Sequence, residues 1–362
     1  MKRLVQILLC AAFCLSVTEL YAQKDMGRMS WSKVALRMPA EWYATDQAKE
    51  IAETVLAYQT EIGGWPKNIR FHRQTIKDVN QIADTGATFD NDATTTEMRF
   101  LAKMYESRKD EKYRDAFIKA FNYILKAQYA NGGWPQFYPP RKDNGVMYSD
   151  CITFNDNAYV NVMELLKDIF DDAPCFKALN LSNDIKSEAR QAFDKGVQCI
   201  LDMQIKVNGE RTVWCAQHHQ ETLAPAKARS YELESFSGGE SVGVVFLLMS
   251  LPNPSADVIA AVKGAVKWFE EHKIEGIKVE RFINEDGDPD ARVVPSEGSV
   301  IWGRFYDLDT EKPFFCDRDG IKKNTLQEIG RERRGGYGWY TTAPAQLLEE
   351  YPQWAKKNGV EL

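Results

Sequence analysis

Apolar residues recur along this chain at the three- and four-residue spacing of helices packed on one side. Between 113 and 127, Tyr113, Ala116, Phe117, Ala120, Phe121, Ile124 and Leu125 fall on one face. Val162, Met163, Leu165, Leu166, Ile169 and Phe170 do so over 158–170, and Val258, Ile259, Val262, Val266 and Phe269 further on. Alternation with a period of two is scarce; Lys278–Ile283 and Arg292–Val294 are the best strand candidates. The pattern predicts a mainly α protein with a few short strands.

The helical segments repeat. One ends at Tyr58-Gln59, and six residues after the glutamine comes Trp65 in GGWPKN. A second ends at Ala127-Gln128, with Trp134 again six residues on, and a third at Met203-Gln204, followed more loosely by Trp214. The glutamines are 69 and 76 residues apart, and a fourth candidate ends near His272 and Gly276. Between these ends lies a second repeated segment. Phe89-Asp90-Asn91-Asp92-Ala93 precedes a helix starting at Thr94, where Thr94 and Glu97 have capping-box spacing. Phe154-Asn155-Asp156-Asn157-Ala158 precedes the next helix. Repeated helix hairpins bury their faces only by stacking. Three or four of them fit closure into a ring, an α/α toroid, better than an open solenoid. No Gly/Ser/Pro-rich linker interrupts the chain, so residues 23–362 read as one domain, with 23–45 as a wrapped N-terminal arm.

Composition narrows the classes. The 362 residues carry 46 Lys+Arg against 52 Asp+Glu, a net charge of -6, and are 44% hydrophobic, as in globular proteins. An acidic balance argues against nucleic-acid partners. Residues 1–22 read as a signal peptide, with Lys2 and Arg3 before the apolar Leu4–Val17 stretch and Ala22 before the cut. A secreted or periplasmic place follows, and beyond that segment no membrane span is expected. Cys151, Cys175, Cys199, Cys215 and Cys316 form no C-x-x-C pair; buried free thiols are the expectation.

Several residues could carry chemistry. Asp90 and Asp156, at similar places in the repeat, should share one rim of the toroid. Beside Asn91, Asn155 and Asn157 they are hard oxygen ligands suited to Ca²⁺, although Asp and Asn also serve as helix caps and turn formers. Arg229, Arg304 and Arg318 each sit among aromatic or acidic neighbours and suit a polyanionic substrate, or pair with those acids. Trp134 and the other loop tryptophans could stack on sugar rings or plug the core. Asp286-x-Asp288-x-Asp290 reads as an acidic turn, because Ala291 stands where a calcium loop needs glycine. His218-His219 has no metalloprotease spacing, and no Ser-based or nucleotide-binding signature is present.

Taken together, GGWPKN at 63–68, FDNDATTTEM at 89–98, NGGWPQFYP at 131–139 and ITFNDNAYVNVMELL at 152–166 resemble the family 10 polysaccharide lyases, the α/α-toroid pectate lyases. So do PAKARSYELESFSGGESVGV at 225–244, RFYDLDTEKPFFCDRDG at 304–320 and YGWY at 337–340. The resemblance covers nearly all of 45–354. It implies Arg229 as the Brønsted base, Asp90 and Asp156 as Ca²⁺ ligands, and Arg304, Arg318 and Asn91 as substrate contacts; Trp134 is expected at the substrate from its loop position, by stacking on a sugar ring. The substrate it implies is polygalacturonate, cleaved by Ca²⁺-assisted β-elimination to 4,5-unsaturated oligogalacturonides; the chain is separately expected to act as a monomer. Asp92 stands where the family pattern has glycine, and Lys227 where it has an aromatic residue. Two other readings remain: a glycoside hydrolase on a similar toroid, for which Asp90 and Asp156 would flank the bond, and a non-catalytic uronate-binding protein.

Overall fold

The computed structural model describes residues 26–76, 86–141 and 146–361; the expected signal segment lies outside the described residues. Where one domain is expected, the chain groups into two compact units. The first takes residues up to 87, then 93–123 and 174–180; the second takes 88–92, 124–173 and everything from 181 onward.

The first unit carries helices α1 (Trp31–Arg37), α2 (Asp46–Ala57), α3 (Thr95–Arg108) and α4 (Glu111–Ala127) as far as Tyr123. Ser30 and Thr45 cap α1 and α2 by accepting from the backbone N–H three residues on. The N-terminal arm is itself helical. Its Trp31 indole donates to Glu97 Oε1 at 2.7 Å, and Tyr43 donates to the Ala35 carbonyl at 3.0 Å. The capping box expected at Thr94 and Glu97 does not form, although the helix starts there. Thr94 has φ +69° and makes no side-chain cap; its hydroxyl instead accepts from Trp65 N at 3.0 Å, while Glu97 serves Trp31. Long-range partners outcompete the local cap.

The glutamine–tryptophan repeat is a packing device. Gln59 Nε2 donates to the carbonyls of Gly63 and Ala116, both at 2.8 Å, and the Trp65 indole donates to Val55 O at 2.7 Å. One amide thus closes its own loop and ties it to a carbonyl of the neighbouring helix. The loop lies so close that a Cβ on Gly63, at φ +111°, would sit 2.5 Å from the Lys119 carbonyl, so only glycine fits.

The second unit repeats the arrangement. It holds α5 (Ala158–Phe170), α6 (Asn183–Met203), α7 (Glu240–Met249), α8 (Ala256–Glu271), α9 (Arg331–Gly336) and α10 (Ala343–Lys357). Gln128 Nε2 reaches Gly132 O and Ala192 O at 3.0 and 2.8 Å, and Gln204 Nε2 reaches Thr212 O and Ala261 O at 2.7 and 2.9 Å. The indoles of Trp134, Trp214 and Trp302 bond the carbonyls of Ile124, Ile200 and Phe269. The fourth repeat is therefore real, but a β-hairpin separates its helix end from Trp302.

That hairpin pairs Ile274–Ile283 with Pro289–Gly303, Lys278 facing Val294. Both strand candidates lie in it. The strands run well beyond the alternating stretches because much of the ribbon is solvent-exposed on both faces, and a two-sided polar strand leaves no period-two signature. Asp286, Asp288 and Asp290 line its turn and the strand just beyond. Asn284 Oδ1 accepts from the Asp286 and Asp288 N–H groups, Arg331 pairs with Asp288, and Arg334 grips Asp290 with two bonds of 2.7 and 2.8 Å. A separate small core, with Tyr231, Phe305, Phe314, Phe315, Leu326 and Trp339, backs the loops described next. All five described cysteines are free thiols. Among the described residues no helix is long and apolar enough to cross a membrane.

Candidate active site

Two five-residue turns, Thr88–Asp92 and Thr153–Asn157, are built alike in the second unit. Phe89 and Phe154 are buried anchors, and their N–H groups bond Gln136 O at 3.1 Å and Ala216 O at 2.8 Å, each carbonyl two residues past a repeat tryptophan. Thr88 Oγ1 accepts from Asp90 N and Thr153 Oγ1 from Asn155 N, at 3.1 and 3.2 Å. After each anchor the backbone enters the left-handed region: Asn91 and Asp92 at φ +51° and +61°, Asp156 and Asn157 at +50° and +57°. Short Asn and Asp side chains tolerate that conformation, so the turns need these residue types before any question of chemistry. Asp92 occupies a glycine-like conformation and accepts from Asn161 Nδ2 at 2.7 Å.

In repeat register Asp90 corresponds to Asn155 and Asn91 to Asp156. The first pair is buried and the second exposed. The turns pack against each other, so the repeat brings the carboxylates of Asp90 and Asp156 and the amides of Asn91, Asn155 and Asn157 into one patch, while Asp92 is bonded to Asn161. Gly243 on α7 makes room there, since a Cβ would lie 2.5 Å from Asn157 Oδ1. Partial desolvation and the negative charges of Asp90 and Glu240 push the Asp156 carboxyl up, while Arg304 and Arg229 pull it down.

The arginines stand on the aromatic side of the same unit. Arg304 Nη2 donates to Asn155 Oδ1 at 2.7 Å and pairs with buried Glu240, and its guanidinium lies over Tyr337 at 4.6 Å; among the described residues its buried Nε has no hydrogen-bond partner. Arg229 lies over Tyr231 at 4.9 Å and Tyr337 at 5.7 Å. Its Nε and Nη2 grip the buried Glu232 carboxylate at 2.7 and 2.5 Å. Burial would lower the Arg229 pKa, but the hydrogen bonds and charge of Glu232 outweigh it and hold the guanidinium firmly protonated. Arg318 is exposed, bonded to Glu332 and stacked over Tyr231 at 5.8 Å; Arg333 stacks on the same ring at 4.6 Å.

The structure thus brings Asp90, Asn91, Asp156, Arg229 and Arg304 to one site, with Arg318 beyond Tyr231. Trp134 is a correction. Its ring is 1% exposed, packs edge-on against Tyr159 and donates to Ile124 O, so no face is left for a sugar. Sequence reasoning missed Glu232, Glu240, Tyr231, Tyr337 and Tyr148. Tyr148 shares the electrostatic field of Arg229, Glu232 and Asp90, and burial first, with the two acids, raises its hydroxyl to about 12 against the pull of Arg229. Glu240 follows a third turn of the series: Trp214 N bonds Ser241 Oγ at 3.0 Å just as Trp65 N bonds Thr94 Oγ1, which puts Ser241 in register with Thr94, Phe236 with Phe89, and the turn itself at 235–239.

The profile of the family described as pectic acid lyase matches residues 59–348. This chain belongs to that family. A family 10 polysaccharide lyase from Cellvibrio cellulosa is 39% identical over 89% of this chain and 96% of its own, with a TM-score of 0.72. A mutant of the family 10 lyase from the same organism, solved in complex with trigalacturonic acid, is 37% identical over 92% of this chain and 100% of its own, also at 0.72. No curated protein matches the chain. The fold is accordingly the mainly α, α/α-toroid class, and the protein is a polysaccharide lyase acting on pectate. The hydrolase and non-catalytic readings fall away.

The two turns present oxygen donors of the hard type. Asp90, Asp156 and the amide oxygens of Asn91 and Asn157 are hard donors at a patch where carboxylates repel, which fits a divalent cation such as Ca²⁺; Asn155 Oδ1 is taken by Arg304. Among the described residues no three His, Cys, Asp or Glu side chains gather as a metal site.

His218 belongs to the scaffold. It is fully buried, Nε2 accepts from Cys215 N at 3.1 Å and Nδ1 lies 2.8 Å from Leu223 O, the pattern of a neutral ring protonated on Nδ1. Burial lowers its pKa from 6.5 to about 4, against the two backbone bonds. The unfolded chain then binds the proton more readily, so stability is complete above the ordinary histidine pKa and drains away as pH falls toward 4. The loss from this one group should reach about 3 kcal/mol. Urea unfolding of the wild type and His218→Gln between pH 7 and 4 checks it: the stability gap between them should narrow on acidification, and a constant gap would refute the assignment.

Proposed function

We propose that this lyase cleaves de-esterified polygalacturonate by Ca²⁺-assisted β-elimination, with Arg229 as the Brønsted base. The observation that carries the reading is an arginine, Arg229, sharing one small site with two facing carboxylate turns and a second buried arginine. The trigalacturonic acid bound by the Cellvibrio relative supports the substrate class.

Each galacturonate has a C5 proton next to a carboxylate and a glycosidic oxygen on C4. Arg229 takes the proton; the C5–H electron pair becomes the C4=C5 double bond; the C4–O pair leaves with the oxygen, which is protonated from water. Asp90 and Asp156, with the neighbouring amides, would hold a Ca²⁺ that neutralises the substrate carboxylate and acidifies C5–H. Arg304, fixed by Asn155 and Glu240, and exposed Arg318 hold uronates in register, and Asn91 adds a contact from the turn tip. Near pH 9.5, holding a free arginine neutral costs about 4–6 kcal/mol, and the pairing with Glu232 adds to that cost for Arg229. Cations offset part of that cost, and Arg333 already repels Arg229. An alkaline optimum, above about pH 8, follows. We further place the enzyme outside the cytoplasm, secreted or periplasmic, where polymeric pectate is met, and acting as a monomer.

The test is the product. De-esterified polygalacturonate at alkaline pH should give a rise in the ultraviolet absorbance of a conjugated 4,5-unsaturated uronide. New reducing ends without that rise would mean hydrolysis and would sink the reading.

A further inference from the structure

Arginine is a base only through the nitrogen that has given up its proton, and a neutral guanidine can place its lone pair on any of three nitrogens. In this protein the choice is not open. Glu232 is 3% exposed and accepts four hydrogen bonds: Arg229 Nη2 at 2.5 Å and the Tyr337 hydroxyl at 2.6 Å on Oε1, Arg229 Nε at 2.7 Å and the Arg229 backbone N–H at 3.2 Å on Oε2. A buried carboxylate holding a donor on each oxygen cannot lose either cheaply. Tyr231 and Tyr337 cover the guanidinium from their ring faces.

We propose that Glu232 is the positioning residue of this lyase: it keeps Nε–H and Nη2–H of Arg229 in its fork and so makes Nη1 the nitrogen that accepts the C5 proton. The inference rests on the reading of Arg229 as base. Neutral Arg229 keeps the two forked protons and carries its lone pair on Nη1. The substrate C5–H bond breaks toward that lone pair, and the guanidinium is restored. The logic is that of a carboxylate fixing the tautomer of a catalytic imidazole. Tyr337 holds the carboxylate from the far side, so the fork cannot swing. The same charge makes Arg229 a stronger but scarcer base. The other groups facing it are Tyr231 from its own loop, Tyr148, Asp156 of the second turn, Arg333 of α9 and Tyr337 after it.

The experiment is the pH profile of elimination for wild type, Glu232→Gln, Glu232→Asp and Arg229→Ala. Glu232→Gln removes the charge and one acceptor. The rising limb of kcat/KM should move down by about one pH unit or more, because the cation loses its counter-charge. Plateau kcat should fall about 10–100-fold as the lone pair is no longer directed, with KM within about twofold. Glu232→Asp keeps the charge and shortens the reach, so its limb stays in place while kcat falls, and it serves where the glutamine variant does not fold. A limb and a plateau kcat that both match wild type in Glu232→Gln, or an undiminished plateau in Glu232→Asp, would overturn the proposal. Retained activity in Arg229→Ala would instead overturn the base assignment beneath it.

Discussion

Arg229→Ala should lower kcat for elimination about 10²–10⁴-fold, the range expected when a positioned general base is removed. The drop should exceed that of any other single substitution at the site. Arg229 lies in the loop after Pro225–Ala226 and is partly exposed, so few core contacts depend on it. Glu232 keeps the Tyr337 hydroxyl but loses both fork bonds, so a moderate loss of stability accompanies the change and is separated from the chemistry by circular dichroism and a thermal scan. Arg229→Lys is the companion. It restores a cation beside Glu232 without the planar fork, so stability should recover further than activity. The wild-type rate should climb with pH, since Glu232 holds the guanidinium protonated in the free protein. Retention of a tenth or more of the wild-type kcat in a folded Arg229→Ala enzyme would remove Arg229 from the role of base.

The second large effect should come from the cation. Treatment with a chelator should abolish the absorbance rise, and added Ca²⁺ should restore it. Asp90 and the two amide-bearing turns place negative charge and oxygen donors together, and the Asp156 carboxyl is pushed up by partial desolvation and by its anionic neighbours. Without a cation, ionised Asp156 is a mild liability to the fold, since its protonated form is the better tolerated. Asp156→Asn should therefore leave the metal-free protein at least as stable as wild type at neutral pH while raising the Ca²⁺ needed for half-maximal rate by tenfold or more. A ligand that binds only the folded state raises its melting temperature with concentration. The melting temperature should therefore rise with Ca²⁺ concentration if the proposed site binds it. Full activity in the presence of chelator would exclude the role assigned to Asp90 and Asp156.

Much of this molecule is legible in one dimension. Helix faces, the recurring glutamine before each loop tryptophan and the paired acidic turns are local patterns, and each names its element and its place in a repeat. The repeat also carries chemistry, because two turns built alike bring Asp90 and Asp156 together. Arg229 and Arg304 stand in motifs dense enough to be singled out. What failed were inferences about where a side chain points. Trp134 sits in a polar loop, yet its ring turns inward, because each repeat needs an indole to reach a carbonyl at the end of the preceding helix. Thr94 and Glu97 have cap spacing but serve Trp65 and Trp31.

Glu232, only three residues from Arg229, shows the limit. Its spacing is visible in the chain, but its weight comes from burial and from Tyr337, 105 residues away, closing on the same carboxylate. Hydrophobic periodicity and turn chemistry act over a few residues and can be read along the chain. Desolvation, tautomer choice and the coupling of charges arise only when segments far apart in the chain meet, and here that meeting sets how Arg229 is held.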